Sequence, residues 1–548
     1  VATVGVLVAV QQLAQNLFGS ATRSFRPFLP THTVSTGGVR VGIDQIIVVV
    51  IAAAGTLGLT QLLRLTRLGL SMRGVVDNES LIALTGIAPV SVRRGSWVIG
   101  SVFAALSGVL IAPTIGLDAG VLTLLVVQAF GAAAFGLFTS LPLTYVGGLV
   151  LGVGSALSSK YVGSVRILSG LPPSLPFIVL FCVLVAAPRG RLIDIAPERR
   201  GIPRERRQAS RHVRISASAA GCAALIAVPF FAGARLTGYS VAMAFAVIFL
   251  SLVLLDRLSG QLSLAQLSFS AVGGTAFSHL AHGFGLPWLV AVLLGALIAV
   301  PVGAVLAVPA VRLSGLYLAL ASFGFGLLMQ GLVYGQSYMF GASGTAIQAP
   351  RPSFAHSDRA YYYVVLAFAL AAAGLVVALR RSPLGRLLRA MADSQVAVVT
   401  GGMNVTALKL IAFCLSAFLA GLGGALLGPA IGSLAPANLD TFASLLLVVI
   451  LALQAPLGDV PAAFVAALVS GVVPSYLVQH PGILKWLPVA FGMAAVGISI
   501  RQGRSAIAGS RPASIIGDRT RERLLSSPVR ARHAQETANP ARLVDAST

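Results

Sequence analysis

The chain of 548 residues is 56% hydrophobic and only 10% charged, whereas an average globular domain carries about 25% charged residues. This composition excludes an ordinary soluble enzyme, a disordered protein and a nucleic-acid-binding domain, because so many apolar side chains cannot all be buried in a soluble fold. The formal net charge of +23 arises from 39 Lys and Arg against 16 Asp and Glu, and the basic residues lie mostly between apolar runs. Such placement is typical of cytoplasmic loops in membrane proteins, so we expect no nucleic acid partner.

Apolar runs long enough to cross a bilayer as helices, about 17–25 residues, follow one another along the chain. Because the runs are continuous and do not alternate in hydrophobicity, they favour helices over a membrane β-barrel. The predicted fold class is therefore all-α, a polytopic transmembrane helical bundle that contacts the lipid bilayer. The predicted spans lie near 1–18, 43–63, 96–113, 120–137, 142–158, 174–188, 217–234, 238–256, 262–284, 287–309, 314–334, 360–379, 407–428, 443–456, 461–478 and 484–500.

Two polar, basic segments divide the chain into four predicted parts. Residues 189–214 are rich in arginine and are predicted to form a cytoplasmic linker between two membrane halves, 1–188 and 215–500. Residues 501–548 lack a long apolar run, so they are predicted to form a disordered, basic cytoplasmic tail.

The topology follows from counting predicted spans outward from the linker. Four spans separate the linker from the basic segment 64–94, six spans separate it from the basic segment 380–409, and four more lead to the tail. All four basic segments then lie on the cytoplasmic side, as the positive-inside rule expects.

A parallel internal repeat, with an offset of 316 positions, is the strongest organisational signal in the sequence. The matched pairs include Leu68 and Leu384, Gly69 and Gly385, Arg73 and Arg389, Asp77 and Asp393, Gly86 and Gly402, Pro113 and Pro429, and Gly116 and Gly432. Membrane composition by itself does not easily match Arg, Asp and Pro at fixed spacing. Both copies start on the cytoplasmic side, so the repeat is parallel.

The two halves differ at their beginnings. The second half runs from about 216 to 318 before it reaches a helix that matches the N-terminus of the chain, and the first half has no counterpart of that stretch. The matched pairs in this helix are Ala2 and Ala321, Gly5 and Gly324, and Gln11 and Gln330. The chain also begins with Val1, so we expect an N-terminal truncation and an upstream Gly-Gln/Ser-Leu type motif. The competing explanation is a genuinely asymmetric protein.

The two matched cytoplasmic segments are candidate docking helices for a partner protein. They comprise 66–77 (TRLGLSMRGVVD) and 382–393 (SPLGRLLRAMAD), each a short amphipathic stretch after a membrane span. In each, an Arg and an Asp four residues apart share a helix face, and a later glycine ends the segment. A loop that only orients the chain needs charge but no repeated sequence, so the repeated pattern favours docking. The candidate coupling residues are Gly69, Arg73, Asp77, Gly86, Gly385, Arg389, Asp393 and Gly402.

Three ordered blocks of the second half resemble membrane permeases of the branched-chain amino acid ABC importers. They are 382–432, which includes Gly421-Leu-Gly-Gly424, then 260–269 (GQLSLAQLSF) and 312–319 (RLSGLYLA). The resemblance implies that two permease subunits, normally separate chains, are fused here, with the first half lacking its opening helices. The residues that it implies for the translocation pathway and helix packing are Gly260, Gln261, Ser263, Gly315, Tyr317, Gly421 and Gly424.

The resemblance also implies partners and a location. Two ABC ATPase subunits would dock on the candidate coupling residues, and an extracytoplasmic binding protein would deliver a branched-chain or related amino acid across the bacterial inner membrane. The chain has no GxxxxGK[ST] motif, so it is expected to bind no cofactor, and ATP with magnesium would lie on the ATPases. Departures from the family pattern at Ala265-Gln266, at Leu453-Gln454 and at Ala88 leave the substrate open.

An ion-coupled secondary transporter of small polar solutes is the alternative function. All 16 acidic residues fall in loops, tails or span ends, whereas proton and sodium relays keep carboxylates deep in the membrane. An intramembrane hydrolase or acyltransferase would need a His–carboxylate or Ser–base pair at membrane depth, so no catalytic residue is predicted. His279 and His282 lack a nearby Asp, Glu or Cys to complete a metal site, and they are interpreted as interfacial residues.

Overall fold

The computed structural model describes residues 2–19, 21–24, 26–36, 39–163, 165, 168, 170–186, 211–313, 315–340 and 346–509. Most of the predicted linker and tail therefore lies outside the described residues, and the predicted domain boundaries stay predictions. The chain divides into a large unit, Val1–Arg200 with Glu205–Val496, and a small unit, Gly201–Arg204 with Gly497–Thr548. In the small unit the described residues continue the last helix.

Nearly all regular structure is α-helical, as the composition predicts. The helices are α1 Ala2–Phe18, α2 Ile43–Leu65, α3 Arg67–Asp77, α4 Glu79–Leu84, α5 Pro89–Ile115, α6 Ala119–Phe135, α7 Leu141–Tyr161, α8 Leu171–Ala186, α9 Arg211–Phe231, α10 Leu236–Val253, α11 Gln266–Ser278, α12 Trp288–Arg312, α13 Gly315–Leu328, α14 Asp358–Arg381, α15 Pro383–Asp393, α16 Gln395–Thr400, α17 Val405–Ile431, α18 Thr441–Leu453, α19 Asp459–Leu477, α20 Pro481–Leu484 and α21 Leu487–Gly509. Single π-turns extend three of them, at Leu254–Leu258 after α10, His279–Gly283 after α11 and Met329–Val333 after α13.

Short antiparallel strands occur only at loops in the described residues. β1 (Thr33–Thr36) pairs with β2 (Val39–Gly42), with Thr33 opposite Gly42. β3 (Ile347–Gln348) pairs with β4 (Ser433–Leu434). These pairs join loop segments and leave the membrane-spanning part of the chain helical.

Nine helices in the described part of the chain are long and apolar enough to cross a membrane. They are α2, α5, α7, α10 with its flanking turns, α12, α14, α17, α19, and α20 continued into α21. Shorter apolar helices, including α1, α6, α8 and α18, occupy other predicted spans. The predicted span 262–284 differs from a continuous helix, because residues 259–265 form a loop before α11 begins. The fold is thus an all-α, multi-pass membrane bundle, as the sequence predicts.

The parallel repeat is present in the structure. At the offset of 316, the bounds of α3, α4 and α5 coincide residue for residue with those of α15, α16 and α17. The left-handed glycines coincide as well: φ is 85° at Gly86 and 76° at Gly402, and 84° at Gly116 and 82° at Gly432. Glycine is favoured at these turns because other side chains are strained at positive φ.

The two halves contact each other through equivalent helices. α8 of the first half packs against α13, which is the repeat counterpart of α1. Reciprocally, α1 lies against α21, the counterpart of α8, where a Cβ on Gly492 would be 2.7 Å from the carbonyl oxygen of Gly5. This reciprocal contact is what a two-fold related pair of halves produces.

The buried core lies in the second half. α17 contacts α10, α11 and α12, and 72% of the residues in its most apolar 18-residue segment are buried. In its counterpart α5 only 6% of the residues of that segment are buried, and α2 has no buried residue. The difference follows from the neighbours, because in the described residues no helices of the first half correspond to α10–α12.

Candidate coupling loops and translocation pathway

Both predicted docking segments form helices that start at a hydroxyl cap. The Gly69 N–H donates to Thr66 Oγ1 at 3.2 Å in α3, and the Gly385 N–H donates to Ser382 Oγ at 3.1 Å in α15. A Cβ at either glycine would collide with the backbone of the preceding span. Glycine is therefore required for the sharp turn that lays each docking helix against the span before it.

One predicted arginine in each docking helix donates a hydrogen bond to the preceding span. Arg73 Nη2 donates to the Leu63 carbonyl at 2.7 Å, and Arg389 Nη2 donates to the Arg380 carbonyl at 3.1 Å. Each carbonyl lies in the last turn of a span, at the negative end of the helix dipole, where a guanidinium is favourable. The arginines thus orient the docking helices while their side chains stay exposed.

The remaining coupling residues lie in or just after two equivalent pairs of short helices, α3–α4 and α15–α16, here named the docking elbows. Asp77 and Asp393 are the exposed last residues of α3 and α15. A second short helix follows in each half and leads into a left-handed glycine, Gly86 after α4 and Gly402 after α16.

The elbows differ at the entry to the next span. Asn404 Oδ1 accepts the Ala407 N–H at 3.2 Å and caps α17, whereas Ala88 gives α5 no side-chain cap. A side-chain cap at a helix start typically contributes about 1 kcal/mol. The departure noted in the sequence at Ala88 therefore removes a cap but keeps the elbow.

The predicted pathway residues around Gly260 lie in a loop, 259–265, between the π-turn of α10 and the start of α11; Gly260 is exposed, whereas Gln261 and Ser263 are buried. Gly260 has a φ of 67°, and Ser263 Oγ accepts the Ala265 N–H at 3.3 Å. Both polar atoms of the Gln261 amide are buried without a partner among the described residues. Irregular backbone at membrane depth is tolerated only where protein buries it or where it lines a cavity.

Gln266, at the position where the family resemblance expects histidine, joins three helices. Its Oε1 accepts a hydrogen bond from Ser251 Oγ of α10 at 3.0 Å, and its Nε2 donates to Ser416 Oγ of α17 at 3.2 Å. All three side chains are fully buried. This closed hydrogen-bond network makes the departure at Gln266 structurally compatible with the bundle.

Gly421 and Gly424 permit close helix contacts in the core. A Cβ on Gly421 would lie 2.7 Å from Ala299 Cβ of α12, and a Cβ on Gly424 would collide with the backbone of Ser270 in α11. Small residues let helices approach in this way because van der Waals packing drives association in membranes. The predicted packing glycines thus let α17 lie close to both α12 and α11.

Gly315 and Tyr317 lie at the beginning of α13, away from the glycines of α17. Gly315 has a φ of 55° where the chain turns from α12 into α13. The Tyr317 ring lies 5.3 Å from the Phe138 ring of the first half, centroid to centroid. The structure therefore places these two residues at the contact between the halves.

Two groups of buried or half-buried charged side chains were not predicted from the sequence. Lys409 of α17 is 2% exposed and its ammonium donates to the Ala310 carbonyl at 2.8 Å, at the C-terminal end of α12. Asp459 Oδ2 lies 2.8 Å from Arg380 Nη1, and its Oδ1 lies 3.5 Å from Arg257 Nη1. The signal for Lys409 was its position inside an apolar run, where an ionisable residue is expensive and calls for a partner.

Comparisons with known proteins agree with this architecture. The family described as the permease component of the branched-chain amino acid transport system matches residues 1–188 and 234–497. The high-affinity branched-chain amino acid transport system permease protein LivM of Salmonella typhimurium is 28% identical over 255 residues, which are 42% of this chain and 60% of LivM.

Two further relatives carry the same description. LivH of Escherichia coli K12 is 32% identical over 155 residues, 27% of this chain and 47% of LivH. BraD of Pseudomonas aeruginosa is 28% identical over 168 residues, 30% of this chain and 55% of BraD. The chain thus spans between 47% and 60% of the length of these curated relatives, and no solved structure matches it. Because the family match covers most of the sequence in two regions, this chain belongs to the family of permease components of branched-chain amino acid transport systems, which are membrane transport proteins and not enzymes.

Proposed function

We propose that the chain is the membrane permease of an ATP-binding cassette importer in the bacterial inner membrane, with two permease halves, 1–188 and 215–500, fused in one polypeptide. The observation that carries the proposal is the pair of equivalent docking elbows, α3–α4 and α15–α16, in a member of this permease family. Two ATPase subunits need two equivalent surfaces, and the repeat supplies them. The substrate would be a branched-chain or related amino acid, delivered by an extracytoplasmic binding protein.

The contacts of α15 suggest how movement of an ATPase would reach the pathway. α15 packs against α14, α17 and the π-turn Leu254–Leu258. That π-turn leads directly into the loop 259–265, so a displacement of α15 would act on the loop through a contact one turn away. Arg389 adds a second connection, because it is bonded to the last turn of α14. ATP binding and hydrolysis would take place on the partner subunits.

Charge reversal in the docking elbows tests the proposal. We expect Arg389→Glu, and the matched Arg73→Glu, to release most of the ABC ATPase that is co-expressed and co-purified with the wild type, while expression of the permease stays normal. Arg359→Glu is the control, because Arg359 is equally exposed but lies at the opposite end of α14. Unchanged association in the Arg73→Glu/Arg389→Glu double variant would refute docking at the elbows.

Reconstituted uptake distinguishes the proposal from the ion-coupled alternative. In proteoliposomes with the ATPases and the binding protein, L-leucine uptake should require ATP and should be insensitive to ionophores that collapse proton and sodium gradients. Uptake that needs a gradient and no ATPase would instead establish a secondary transporter.

A further inference from the structure

Two short helices, α11 and α18, begin inside the bundle. Each has 13 residues, fewer than a full span needs. Gln266, the first residue of α11, is bonded to Ser416 near the middle of α17, whereas Ser278 at the end of α11 is bonded to the Gln348 carbonyl in strand β3. α11 therefore covers only the outer part of the bundle, and its N-terminus lies at mid-depth.

The N-terminus of α18 lies beside that of α11. The Leu267 N–H donates to Ser444 Oγ at 3.4 Å, so the first turns of the two helices are side by side. The Thr441 N–H donates to Gln330 Oε1 of the π-turn after α13, at 3.2 Å. The positive ends of two helix dipoles thus meet at one place, an arrangement that transporters with interrupted helices use to bind anionic substrate groups.

Two buried hydroxyl groups lie at the same place. Ser268 Oγ and Thr441 Oγ1 are fully buried and make no hydrogen bond of regular geometry among the described residues, and the Tyr334 hydroxyl lies beside Ser268. Gly326 of α13 lies between them, since a Cβ there would be 3.3 Å from each hydroxyl oxygen. A buried hydroxyl without a regular hydrogen bond is destabilising, so a pair beside two helix N-termini points to a ligand that accepts hydrogen bonds.

A negative charge lies one residue away. Asp440 caps α18, and its Oδ1 accepts the Phe442 N–H at 3.4 Å. Hydroxyl donors and helix N-termini favour a carboxylate, while the Asp440 carboxylate favours a neighbouring ammonium group. A zwitterionic amino acid carries both groups a few ångströms apart, and no Lys or Arg among the described residues is hydrogen-bonded to either hydroxyl, so binding would be weak enough for release.

We infer that Ser268, Thr441 and Gly326, here named the α11/α18 site, bind the carboxylate of an amino acid in transit, with its ammonium group toward Asp440. The inference rests on the proposed function and names where the substrate binds within the membrane. The site belongs to the second half only. In the match of α1 with α13, Leu7 stands where Gly326 stands, and Ala119 follows the capping Asp118 as Thr441 follows Asp440.

Ser268→Ala and Thr441→Val test the site by uptake of L-leucine in proteoliposomes that contain the full chain, the ATPases and the binding protein. Each variant should reduce maximal uptake by roughly tenfold to a hundredfold, the change expected when a hydrogen bond to a charged group is lost. Ser470→Ala is the matched control, because the partly buried Ser470 hydroxyl donates within its own helix, to the Ala466 carbonyl, and lies in α19, outside the α11/α18 site. Near-normal uptake by both variants, with uptake by the wild type intact, would overturn the site and leave the proposed function standing.

Thermal stability separates binding from a structural role. The two hydroxyls make no regular hydrogen bond to the protein, so their removal should leave the melting temperature of the purified chain unchanged or higher, whereas a structural role predicts a lower one. If ATP-dependent uptake fails in the wild type, the site is tested instead by equilibrium binding of radiolabelled L-leucine to the purified chain. L-leucinamide, which lacks a carboxylate, is the competitor. Leucine binding that is lost in both variants and resists leucinamide would support the site even then, and absence of binding would overturn it.

Discussion

Replacing Gly424 with alanine is the most direct test of the close packing between α11 and α17. The added Cβ would lie 2.7 Å from Ser270 Cα and would collide with the Ser270 carbonyl group. These are backbone atoms, so no flexible side chain can move aside and the two helices must separate. Overpacking of this kind costs about 1–3 kcal/mol. We expect a melting temperature several degrees lower than that of the wild type, measured by fluorescence-detected size-exclusion chromatography after heating.

The repeat provides a matched control for that substitution. Gly108 is the counterpart of Gly424 at the same offset, but a Cβ on Gly108 would meet no atom within 4 Å. Gly108→Ala should therefore be neutral, or should stabilise α5 by up to about 1 kcal/mol through helix propensity. An unchanged melting temperature for Gly424→Ala would refute the packing argument. Equal destabilisation by both variants would show that the α5 face is covered in the assembled protein as the α17 face is covered here.

Two further predictions concern charged side chains. Lys409→Met should destabilise the chain by about 1.5–3 kcal/mol, because the buried ammonium donates to the Ala310 carbonyl. Thermal melting would measure this loss, with Lys485→Met as the neutral control because Lys485 is exposed. Equal melting temperatures for the two variants would contradict the prediction. Asp459→Asn should cost no more than about 1 kcal/mol, because its partner Arg380 is half exposed and its second neighbour, Arg257, keeps its hydrogen bond to the Gly458 carbonyl. Melting at low and high salt checks this, and a larger, salt-independent loss would be inconsistent with a screened ion pair.

Much of the helical framework could be predicted from the sequence, because membrane helices satisfy their backbone hydrogen bonds within one segment and need about twenty apolar residues. Each predicted span overlaps a helix, although the span at 262–284 begins in the loop before α11, and the matched residues from Gly69 to Gly116 and from Gly385 to Gly432 lie in elements with equal bounds. The turn glycines could also be assigned, since a helix that ends in a left-handed turn has a local signature. The elbows are local structures, so their equivalence was readable from the repeat. Their role in docking stays a prediction.

The sequence by itself therefore determined the membrane class, the repeat and the equivalence of the helix pairs α3–α4 and α15–α16, which depend on composition and on residues close in the chain. Only the tertiary structure decided which polar groups meet. Three pairs illustrate this, and the members of each pair come from different elements: Lys409 with Ala310, Asp459 with Arg257, and Ser268 with Thr441. Burial was likewise decided by neighbours, since α5 and α17 have similar sequences but only α17 lies against α10–α12. Hydrophobic patterning identifies a membrane helix but does not specify its contacts, because lipid and protein present nearly the same apolar environment to its side chains.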